Sequence, residues 1–131
     1  MLLVDTNIIL DVLTDDPNWA EWSIATLEEN ESAGLAINPA IYAELSYGFG
    51  SSDEVDATIR QFGLTYTETP RDGLYRASQA FRKYKARGGG RNFVLPDFFI
   101  GGHAESVTSG IMTRDVKRYQ TYFSSVPLIC P

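Results

Sequence analysis

The opening of this 131-residue chain constrains the fold more than any other stretch. The apolar run Leu2–Val4 shows no alternation, and Asp5 ends it abruptly. A run of this kind is typical of a strand that is buried on both faces, as in a parallel sheet covered by helices. Asp5 then lies at the carboxyl end of the strand, which is the edge where open α/β sheets bind their ligands. A second interpretation is open at this point, because Asp5 or Thr6 also suits the N-cap of a following helix.

The rest of the chain alternates short apolar runs with helical segments. Further strands are expected at residues 35–37, 64–66, 110–113 and 127–129. Helices are expected near residues 7–13, 17–32, 39–48, 51–63, 70–87, 96–108 and 115–123. Strands that alternate with helices predict an α/β fold with a mainly parallel central sheet. No repeat, linker or low-complexity tract interrupts the pattern, so we expect one domain over residues 1–131.

Charge is divided unevenly along the chain, although the net charge is only −6. Residues 1–59 hold 12 of the 17 acidic side chains and none of the 11 Lys and Arg residues. Such a division suggests an anionic partner for one face of the protein and a cation or basic partner for the other. The alternative is a fold that interleaves the two halves and cancels their fields.

Cysteine usage and hydropathy suggest a compartment. The single cysteine, Cys130, excludes an internal disulfide and a cysteine-based zinc site, and it fits a reducing environment. Asp5 interrupts the first apolar run and no basic residue precedes it, so we expect no signal peptide. No apolar run approaches the roughly 20 residues of a membrane span. We therefore expect a soluble, cytoplasmic protein without membrane contact.

Three further carboxylates occur at positions that suggest a functional site. Glu44 lies beside Leu45 on the apolar stripe of a helix, where an unpaired charge is costly. Asp97 lies in the first turn of a helix, and Asp115 follows an apolar run, repeating the strand-then-carboxylate order of the opening. Each position also has an ordinary explanation. Glu44 could lie on a solvated rim, and the two aspartates could serve the helix dipole or an N-cap.

Together the four acidic residues predict a metal site. Clustered carboxylates repel one another and would hold protons unless a cation lies between them. Carboxylate ligands without histidine or cysteine suit Mg²⁺ or Mn²⁺. Mg²⁺ usually keeps several waters and binds one or two carboxylates with substrate phosphate oxygens, so the pattern indicates phosphodiester chemistry. The repeated design also predicts neighbouring first and fourth strands, with Asp5 and Asp115 at one edge.

Four ordered motifs resemble those of the PIN-domain ribonucleases, and within them the VapC-type toxins of prokaryotic toxin–antitoxin pairs. They are LLVDTNIILDVL with Asp5, INPAIYAEL with Glu44, LPDFFIGGHA with Asp97 and IMTRDVKRYQTYF with Asp115. The 18-residue spacing of the last two acids also resembles the family, and the likeness spans almost the whole chain. The segment 101–103, Gly-Gly-His, departs from the family because many relatives carry small residues there, mainly alanine.

The resemblance implies a fold, an activity, partners and residue roles. The fold would be a three-layer α/β/α sandwich, and the activity Mg²⁺- or Mn²⁺-dependent endoribonuclease cleavage of RNA. A cognate antitoxin would wrap the toxin and block its site, and a homodimer is the family expectation. Asp5, Asp97 and Asp115 would hold or orient the metal, and Glu44 would complete the cluster or act through water. The donors that would orient these carboxylates are Thr6, Asn7 and Thr113.

Basic residues in the second half of the chain suggest a surface for RNA. Seven of the 11 fall within residues 71–91, around the end of a long helix and the glycine break 88–90. A basic helix end followed by a mobile loop could follow a phosphate backbone, with Tyr84 and Phe93 stacking on bases. The alternative is a solvated charged helix face. The residues that we single out for RNA contact are Arg87, Arg91, Arg114, Lys117 and Arg118.

Three more features carry structural predictions. His103 falls about 120° around its helix from Asp97, which predicts a surface or interface histidine rather than a ligand. Gly101 and Gly102 inside a helix imply the close approach of another helix or of a substrate. The aromatic group of the first half is expected in the core, with a groove for an antitoxin helix as the alternative. Its members are Trp19, Trp22, Tyr47 and Phe49.

Three other functions share parts of this pattern. A haloacid-dehalogenase-like phosphatase also begins with an apolar strand that ends in aspartate, but it requires a second aspartate where this chain has Asn7. A receiver-type phospho-acceptor requires paired acids on the first strand and a late lysine, and neither pattern is found. A catalytically silent PIN-like module that binds RNA or a protein stays open, although the four acidic residues argue against it.

Overall fold

The computed structural model covers residues 1–131 and contains a five-stranded sheet. Strands form at the five predicted positions, where each apolar run adjoins residues that favour turns or helix caps. They are β1 (Leu2–Val4), β2 (Leu35–Ile37), β3 (Leu64–Tyr66), β4 (Gly110–Met112) and β5 (Leu128–Ile129). All four strand pairings are parallel, which confirms the predicted α/β fold.

Seven helices connect and cover the strands. They are α1 (Thr6–Leu13), α2 (Ala20–Glu29), α3 (Pro39–Ser46), α4 (Ser52–Gln61), α5 (Arg71–Ala86), α6 (Phe99–Ser106) and α7 (Val116–Tyr122). The first half of the chain crosses the sheet in one direction and the second half in the other. Right-handed crossovers therefore place α1–α4 on one face and α5–α7 on the other, which gives the predicted three-layer sandwich. None of these helices combines the length and hydropathy needed to span a bilayer.

Two helices begin later than the sequence pattern predicts. The segment before α2 is a separate turn, because Asp16 Oδ1 accepts hydrogen bonds from the N–H groups of Asn18 and Trp19 at 2.8 and 3.0 Å. The helix predicted at 96–108 begins as the 3-10 turn Leu95–Phe98 and continues as α6. Both changes alter helix boundaries and leave the order of elements as predicted.

The strand order β3-β2-β1-β4-β5 creates the place for a site. The direction of the chain across the sheet reverses at β1, whose neighbours are β2 and β4. Val4 pairs with Met112, so Asp5 and Thr113 leave the sheet side by side. The crevice at such a reversal, beyond the carboxyl ends of the strands, is where open α/β sheets bind ligands. The predicted adjacency of the first and fourth strands is confirmed.

Strand side chains form the centre of the core and hold this edge in place. Leu3, Val4, Ile37, Ile111 and Met112 have no exposed surface. Full burial of an aliphatic or methionine side chain contributes about 1.5–3 kcal/mol relative to leaving it exposed. Packing on both faces therefore fixes the short strands, and it also fixes the positions of the residues that directly follow them.

Two glycines of α6 permit a close contact between helices, as predicted from their place inside a helix. A Cβ atom on Gly102 would collide with the carbonyl oxygen of Gly73 and lie 2.8 Å from the backbone nitrogen of Ala77, both on α5. A Cβ atom on Gly101 would collide with the ring of Phe123. Packing against neighbours therefore explains both glycines.

His103 lies in the core, so the prediction of a surface or interface histidine was wrong. Its side chain is 1% exposed, and its Nδ1 lies 3.3 Å from Nδ2 of Asn38. The helix α6 contacts both α5 and α3, so the face that carries His103 is enclosed as well. This burial lowers the pKa of the imidazole below its usual value.

The first-half aromatic group does not form the core that was expected of it. Tyr47 is 97% exposed, and the other three members are only half-buried. The buried aromatic cluster comes from the second half of the chain and surrounds Phe98. The ring centroid of Phe98 lies 5.4 Å from that of Tyr122 and 5.8 Å from that of Tyr84.

Candidate functional site

Asp5 is the buried centre of the candidate site. Its side chain follows β1 directly and is 5% exposed. Its Oδ1 accepts a hydrogen bond from the Thr6 N–H at 2.8 Å, which caps α1. Its Oδ2 accepts hydrogen bonds from Thr113 Oγ1 at 2.7 Å and from the Tyr119 hydroxyl at 3.2 Å. Asp5 is therefore both the N-cap of α1 and the hub of a buried polar network at the carboxyl end of β1.

Hydrogen bonds join the ends of β1 and β4. Thr113 Oγ1, which donates to Asp5, accepts a hydrogen bond from the Asp115 N–H at 2.9 Å. Asn7 donates to Asp5 through Nδ2 at 3.4 Å and accepts from the Arg114 N–H at 3.2 Å. Asn7 and Thr113 thus contact the carboxylate that they were predicted to orient, and they tie the two strand ends to each other.

Burial dominates the electrostatics of the carboxylates. The pKa of Asp5 is raised above its ordinary value of 3.8, because desolvation outweighs the hydrogen bond from Thr113 and the positive charge of Arg118. The pKa of Glu44, on α3, is raised by partial desolvation first and by the charge of Asp5 second, with a smaller contribution from Asp97. The structure therefore brings these three acidic groups within electrostatic range of one another.

Asp97 is held by its own turn. Its Oδ2 accepts a hydrogen bond from the Val94 N–H at 2.7 Å, across the 3-10 turn that precedes α6. One carboxylate oxygen is thereby committed to the backbone, which fixes the direction of the side chain. Asp97 and Glu44 line the same cleft of about 480 Å³ between α3 and this turn.

Arg118 is the cation among these acids. Its Nη2 lies 2.9 Å from Asp115 Oδ2, and its Nη1 donates to the backbone oxygen of Asp97 at 3.5 Å. Its charge lowers the pKa of Asp5 and of Glu44, in opposition to burial. One guanidinium thus lies near all four predicted carboxylates, in direct contact with Asp115.

The sequence matches one protein family over most of its length, the PIN domain, at residues 2–123. The chain belongs to the PIN-domain family. This result confirms the family inferred from the four ordered motifs. The parallel sheet with helices on both faces agrees with it.

Solved structures of similar fold contain chains of toxin–antitoxin assemblies. A chain of VapBC2 from Rickettsia felis, bound to a DNA fragment from the promoter, is 17% identical with a TM-score of 0.75, covering 98% of this PIN domain and 97% of that chain. A chain of DNA-bound VapBC from Salmonella typhimurium is 18% identical with a TM-score of 0.75, and the match covers 99% of this chain and 98% of that chain. A chain of a toxin–antitoxin complex from Klebsiella pneumoniae is 21% identical with a TM-score of 0.63, covering 91% and 90%. At these identities the likeness concerns the fold. The comparison with curated proteins found no similar sequence.

The donors of this PIN domain suit a hard divalent cation. Thr6 Oγ1 is buried beside the Glu44 carboxyl, and it makes no hydrogen bond of good geometry with that group or any other. An orphaned hydroxyl beside carboxylates fits a water of a metal hydration shell. No three acidic, histidine or cysteine side chains lie close enough together to hold a metal ion among them. A hard divalent cation would therefore have to be held by one or two carboxylates and by water.

Arg114, which was predicted to contact RNA, pairs with Asp11 and with none of the four predicted site carboxylates. Its Nε and Nη2 each donate to the Asp11 carboxylate at 2.8 Å, and its guanidinium lies 5.0 Å from the ring centroid of Trp19. A bidentate pair of this kind commits the planar guanidinium to one partner. Arg114 therefore fastens the segment after β4 to α1.

Of the other basic residues that were predicted to contact RNA, three are exposed to solvent and Arg118 is half-buried. Lys117 is exposed, and together with Arg118 it lines a cleft beside Asp115. Arg87 and Arg91 are exposed at and beyond the end of α5. Lys117, Arg87 and Arg91 form no ion pair.

Two residues of the network were missed at the sequence level. Asp11 is 3% exposed and also accepts a hydrogen bond from Ser23 Oγ at 2.9 Å. Its signal was available, because a carboxylate inside the apolar run of α1 is costly without a partner. Tyr119 has no exposed surface, and burial raises the pKa of its hydroxyl well above the usual value. Nothing in the sequence distinguishes Tyr119 from an ordinary core aromatic residue.

Proposed function

We propose that this PIN domain, residues 1–131, is a metal-dependent endoribonuclease that acts as the toxin of a toxin–antitoxin pair. The observation that carries the proposal is that the buried Asp5, at the end of β1 beside β4, lies within electrostatic range of Glu44, while Arg118 contacts both Asp115 and the backbone of Asp97. Membership of the PIN-domain family supports the nuclease class. The likeness to chains of VapBC and other toxin–antitoxin complexes supports the toxin role.

The residues suggest a division of labour during hydrolysis. Once bound, Mg²⁺ or Mn²⁺ would make water more acidic and would offset negative charge on the phosphoryl oxygens. Asp5 and Asp97 are the proposed ligands, because Asp5 is buried with a raised pKa and gains most from a nearby cation. Glu44 is the proposed acceptor for the proton of the attacking water, since a carboxylate of raised pKa is a better base. Thr6, Asn7 and Thr113 are the proposed donors that keep these groups in place.

The remaining charged residues of the site have proposed roles toward the RNA. Asp115 holds Arg118 in an ion pair at 2.9 Å, and a guanidinium in this place can stabilise the negative charge that develops on the phosphate. Lys117 lies next to Arg118 on the exposed side of α7 and would contact the adjoining backbone. Arg87 and Arg91 are further proposed contacts for the strand.

The toxin role implies partners. A cognate antitoxin would cover the site, and a homodimer in the cytoplasm is the proposed functional form. The helices α1 and α2 leave apolar side chains at the surface, among them Leu10 at 39%, Leu13 at 40% and Ile24 at 40% exposure. Covering them would remove apolar surface from water, which is the usual driving force of association.

RNA cleavage by the whole chain tests the proposal. Purified protein is incubated with total RNA in Mg²⁺, in Mn²⁺ and in EDTA, and the products are mapped at nucleotide resolution. Cleavage should require a divalent ion and should fall by at least about a hundredfold in Asp5→Asn, since even residues that only orient metal ligands are worth about 10–100-fold. The matched control is Asp53→Asn, an exposed acid in the first turn of α4, which should cleave normally. Undiminished cleavage by a folded Asp5→Asn protein would overturn the proposal.

A catalytically silent module is the second candidate. One observation favours this candidate. The guanidinium of Arg118 already pairs with Asp115, so a positive charge lies beside the carboxylates without any metal ion. In that case RNA or antitoxin would bind, and no divalent ion would produce new RNA ends. The phosphatase alternative has no support, because the family match is to the PIN domain.

A further inference from the structure

One buried titratable side chain takes no part in the proposed hydrolysis. It is His103, the only histidine of the chain, which lies inside α6 and is 1% exposed. Its ring Nδ1 lies 3.3 Å from the side-chain Nδ2 of Asn38, which has no exposed surface. We call this contact the His103–Asn38 bridge. Both partners lose their hydration when they are buried, so the hydrogen bond between them has to replace it.

The other hydrogen bond of Asn38 determines which group of the bridge donates. Asn38 Oδ1 accepts from the Ile41 N–H at 3.0 Å and so caps the N-terminus of α3. The amide nitrogen therefore points to His103, and an amide nitrogen only donates. His103 Nδ1 must then accept, which requires a neutral imidazole with its proton on Nε2. The cap and the bridge together use both ends of the Asn38 amide.

The bridge joins the two walls of the cleft that Glu44 and Asp97 line. Asn38 begins the wall formed by α3, and Glu44 lies on that helix. His103 belongs to α6, and Asp97 lies in the 3-10 turn that leads directly into α6. Among the hydrogen bonds and ion pairs of the chain, no other joins these two walls. The bridge is therefore the one directional contact that links the helix of Glu44 to the turn of Asp97.

The backbone of α6 is itself fixed at the position of the bridge. A Cβ atom on Gly102 would collide with the carbonyl oxygen of Gly73 on α5. A Cβ atom on Gly73 would lie 3.0 Å from His103 Cα. Since α6 cannot move closer to α5 at this point, the His103 ring has a firm base from which to hold α3.

We infer that His103 is a positioning residue of the carboxylate site, which holds α3 against the turn of Asp97 by accepting a hydrogen bond from Asn38. Glu44 is thereby kept in place across the cleft from Asp97. The inference rests on the proposed function, because that function assigns roles in hydrolysis to these two carboxylates. It adds a residue that touches neither the metal nor the RNA and acts through α3.

Protonation of His103 would break the bridge. An imidazolium donates from Nδ1, so this atom would face the donor Nδ2 of Asn38. The amide could accept from it only by turning Oδ1 away from the Ile41 N–H, which would remove the cap of α3. Acid should therefore loosen either the bridge or the first turn of α3.

Burial alone lowers the pKa of His103 below its usual 6.5. The elements packed against α6 do carry charged groups, but none of these shifts the pKa of the imidazole. They are Glu44 on α3, Asp97 on the 3-10 turn, and Arg71, Asp72, Arg76, Arg82, Lys83 and Lys85 on α5. Below pH 6.5 the unfolded chain therefore takes up the proton first, and the unfolding free energy falls as the pH falls toward the folded pKa.

Nuclear magnetic resonance of the whole chain tests the bridge, because the signals of a single histidine are unambiguous. Long-range ¹H–¹⁵N spectra in EDTA distinguish the two neutral tautomers and follow protonation. We expect the Nε2–H tautomer at pH 7 and a protonation midpoint below 6.5. Asn38→Asp keeps the cap and replaces Nδ2 by an acceptor, so it should bring a proton to Nδ1 and raise the midpoint. A proton on Nδ1 in the parent at pH 7, or no change in Asn38→Asp, would overturn the inference.

Backbone amides test the positioning role in the same metal-free samples. His103→Leu removes the acceptor, whereas His103→Asn keeps an acceptor near the place of Nδ1 and cannot be protonated. The Ile41 amide should exchange about fivefold faster in His103→Leu, the factor for one hydrogen bond of ordinary net strength. The amide signals of Glu44 and Asp97 should shift in this variant. His103→Asn should restore both, and it should lack the change that these signals show in the parent at the protonation midpoint of the histidine.

A second variant of α6 serves as the control. Ile100→Val shortens a buried side chain of the same helix and should lower the unfolding free energy, while the signals of Glu44 and Asp97 stay in place. The Glu54 amide, which donates to the cap Ser51 of α4, should exchange as in the parent in both histidine variants.

The outcomes separate this inference from the proposed function. Parent-like exchange at Ile41 and unmoved signals of Glu44 and Asp97 in His103→Leu would overturn the inference, whether or not the protein binds a metal ion or cleaves RNA. The expected changes in a protein that never cleaves RNA would support the bridge and reject the nuclease. If His103→Leu does not fold, the pH series decides: an equal change at the histidine midpoint in the parent and in His103→Asn would overturn the inference.

Discussion

Asp5 is a carboxylate that the folded protein stabilises only in part. It accepts hydrogen bonds from a backbone N–H, a threonine and a tyrosine, and yet desolvation still raises its pKa. Natural proteins tolerate such local cost where a ligand later relieves it, and strongly shifted pKa values cluster at functional sites. The residue whose burial costs stability is therefore the one that we propose as a ligand of the divalent cation.

Replacing Asp5 should stabilise the metal-free protein at neutral pH. The pKa of Asp5 is higher in the folded state than the ordinary 3.8, so between these two values the folded state holds more protons and unfolding free energy falls as pH rises. Asp5→Asn removes this cost and should raise the unfolding free energy at pH 7, where the folded parent holds a desolvated charge. The advantage should disappear as the pH falls through the folded pKa toward 3.8. Urea unfolding in EDTA across this pH range measures it.

The exposed acid Asp53 supplies the comparison for this experiment. Asp53→Asn changes the same group in the first turn of α4, where a carboxylate interacts favourably with the helix dipole, so it should lose a few tenths of a kcal/mol. A loss of stability in Asp5→Asn at pH 7 would mean that the hydrogen bonds outweigh desolvation, contrary to the argument.

The close contact between α5 and α6 depends on the absence of a Cβ atom at Gly102. Gly102→Ala would gain roughly 1 kcal/mol of helix propensity, but its Cβ would meet backbone atoms of Gly73 and Ala77, which cannot rotate away. Overpacking of this kind costs about 1–3 kcal/mol, so we expect a net loss of up to about 2 kcal/mol. Chemical denaturation measures the loss. Gly48→Ala is the control, because nothing lies within 4 Å of a Cβ atom there, and it should be neutral or slightly stabilising. Equal stability of both variants would show that the helices separate easily.

The pair of Asp11 and Arg114 joins α1 to the segment after β4. Arg114→Gln leaves a carboxylate buried without its cation, and breaking a buried pair costs about 3–5 kcal/mol, which we reduce to about 1–3 because the arginine side chain is 27% exposed. The double variant with Asp11→Asn should recover part of this stability, since the uncompensated charge is gone. Unfolding of the single and double variants forms a mutant cycle with a positive coupling energy. If Arg114 acted on RNA alone, unfolding would not change and only RNA affinity would fall.

Elements and their order were predictable, whereas the directions of side chains were not. The repeat of an apolar strand followed by a carboxylate, at Asp5 and at Asp115, was enough to predict neighbouring strands. The burial of His103 and the direction of Arg114 depended on which helices pack together, and periodicity within one helix does not contain that information. The prediction for His103 was therefore wrong because its surroundings come from distant elements, and the partner of Arg114 comes from a distant element as well.

At the scale of the whole molecule, the sheet order interleaves the acidic and basic halves of the chain. The strand β1, from the acidic half, lies beside β4, from the basic half, so Asp5 and Glu44 share a site with Arg118. The fields of the two halves partly cancel there, which was the alternative considered for the uneven charge. The carboxylates at the strand ends are therefore bordered by cations, although the chain as a whole has a net charge of −6.

Binding of a divalent cation at this site should stabilise the folded protein against unfolding. An ion that binds only the folded state raises the unfolding free energy by about 2.7 kcal/mol at a concentration 100 times its Kd. Mg²⁺ and Mn²⁺ should therefore raise the melting temperature in a saturable manner, while NaCl at equal ionic strength should not. The Asp97→Asn variant should reduce this shift and Asp53→Asn should keep it, as measured by calorimetry. A shift that is the same in both variants would locate the ion elsewhere on the acidic surface and would separate metal binding from the carboxylates at the strand ends.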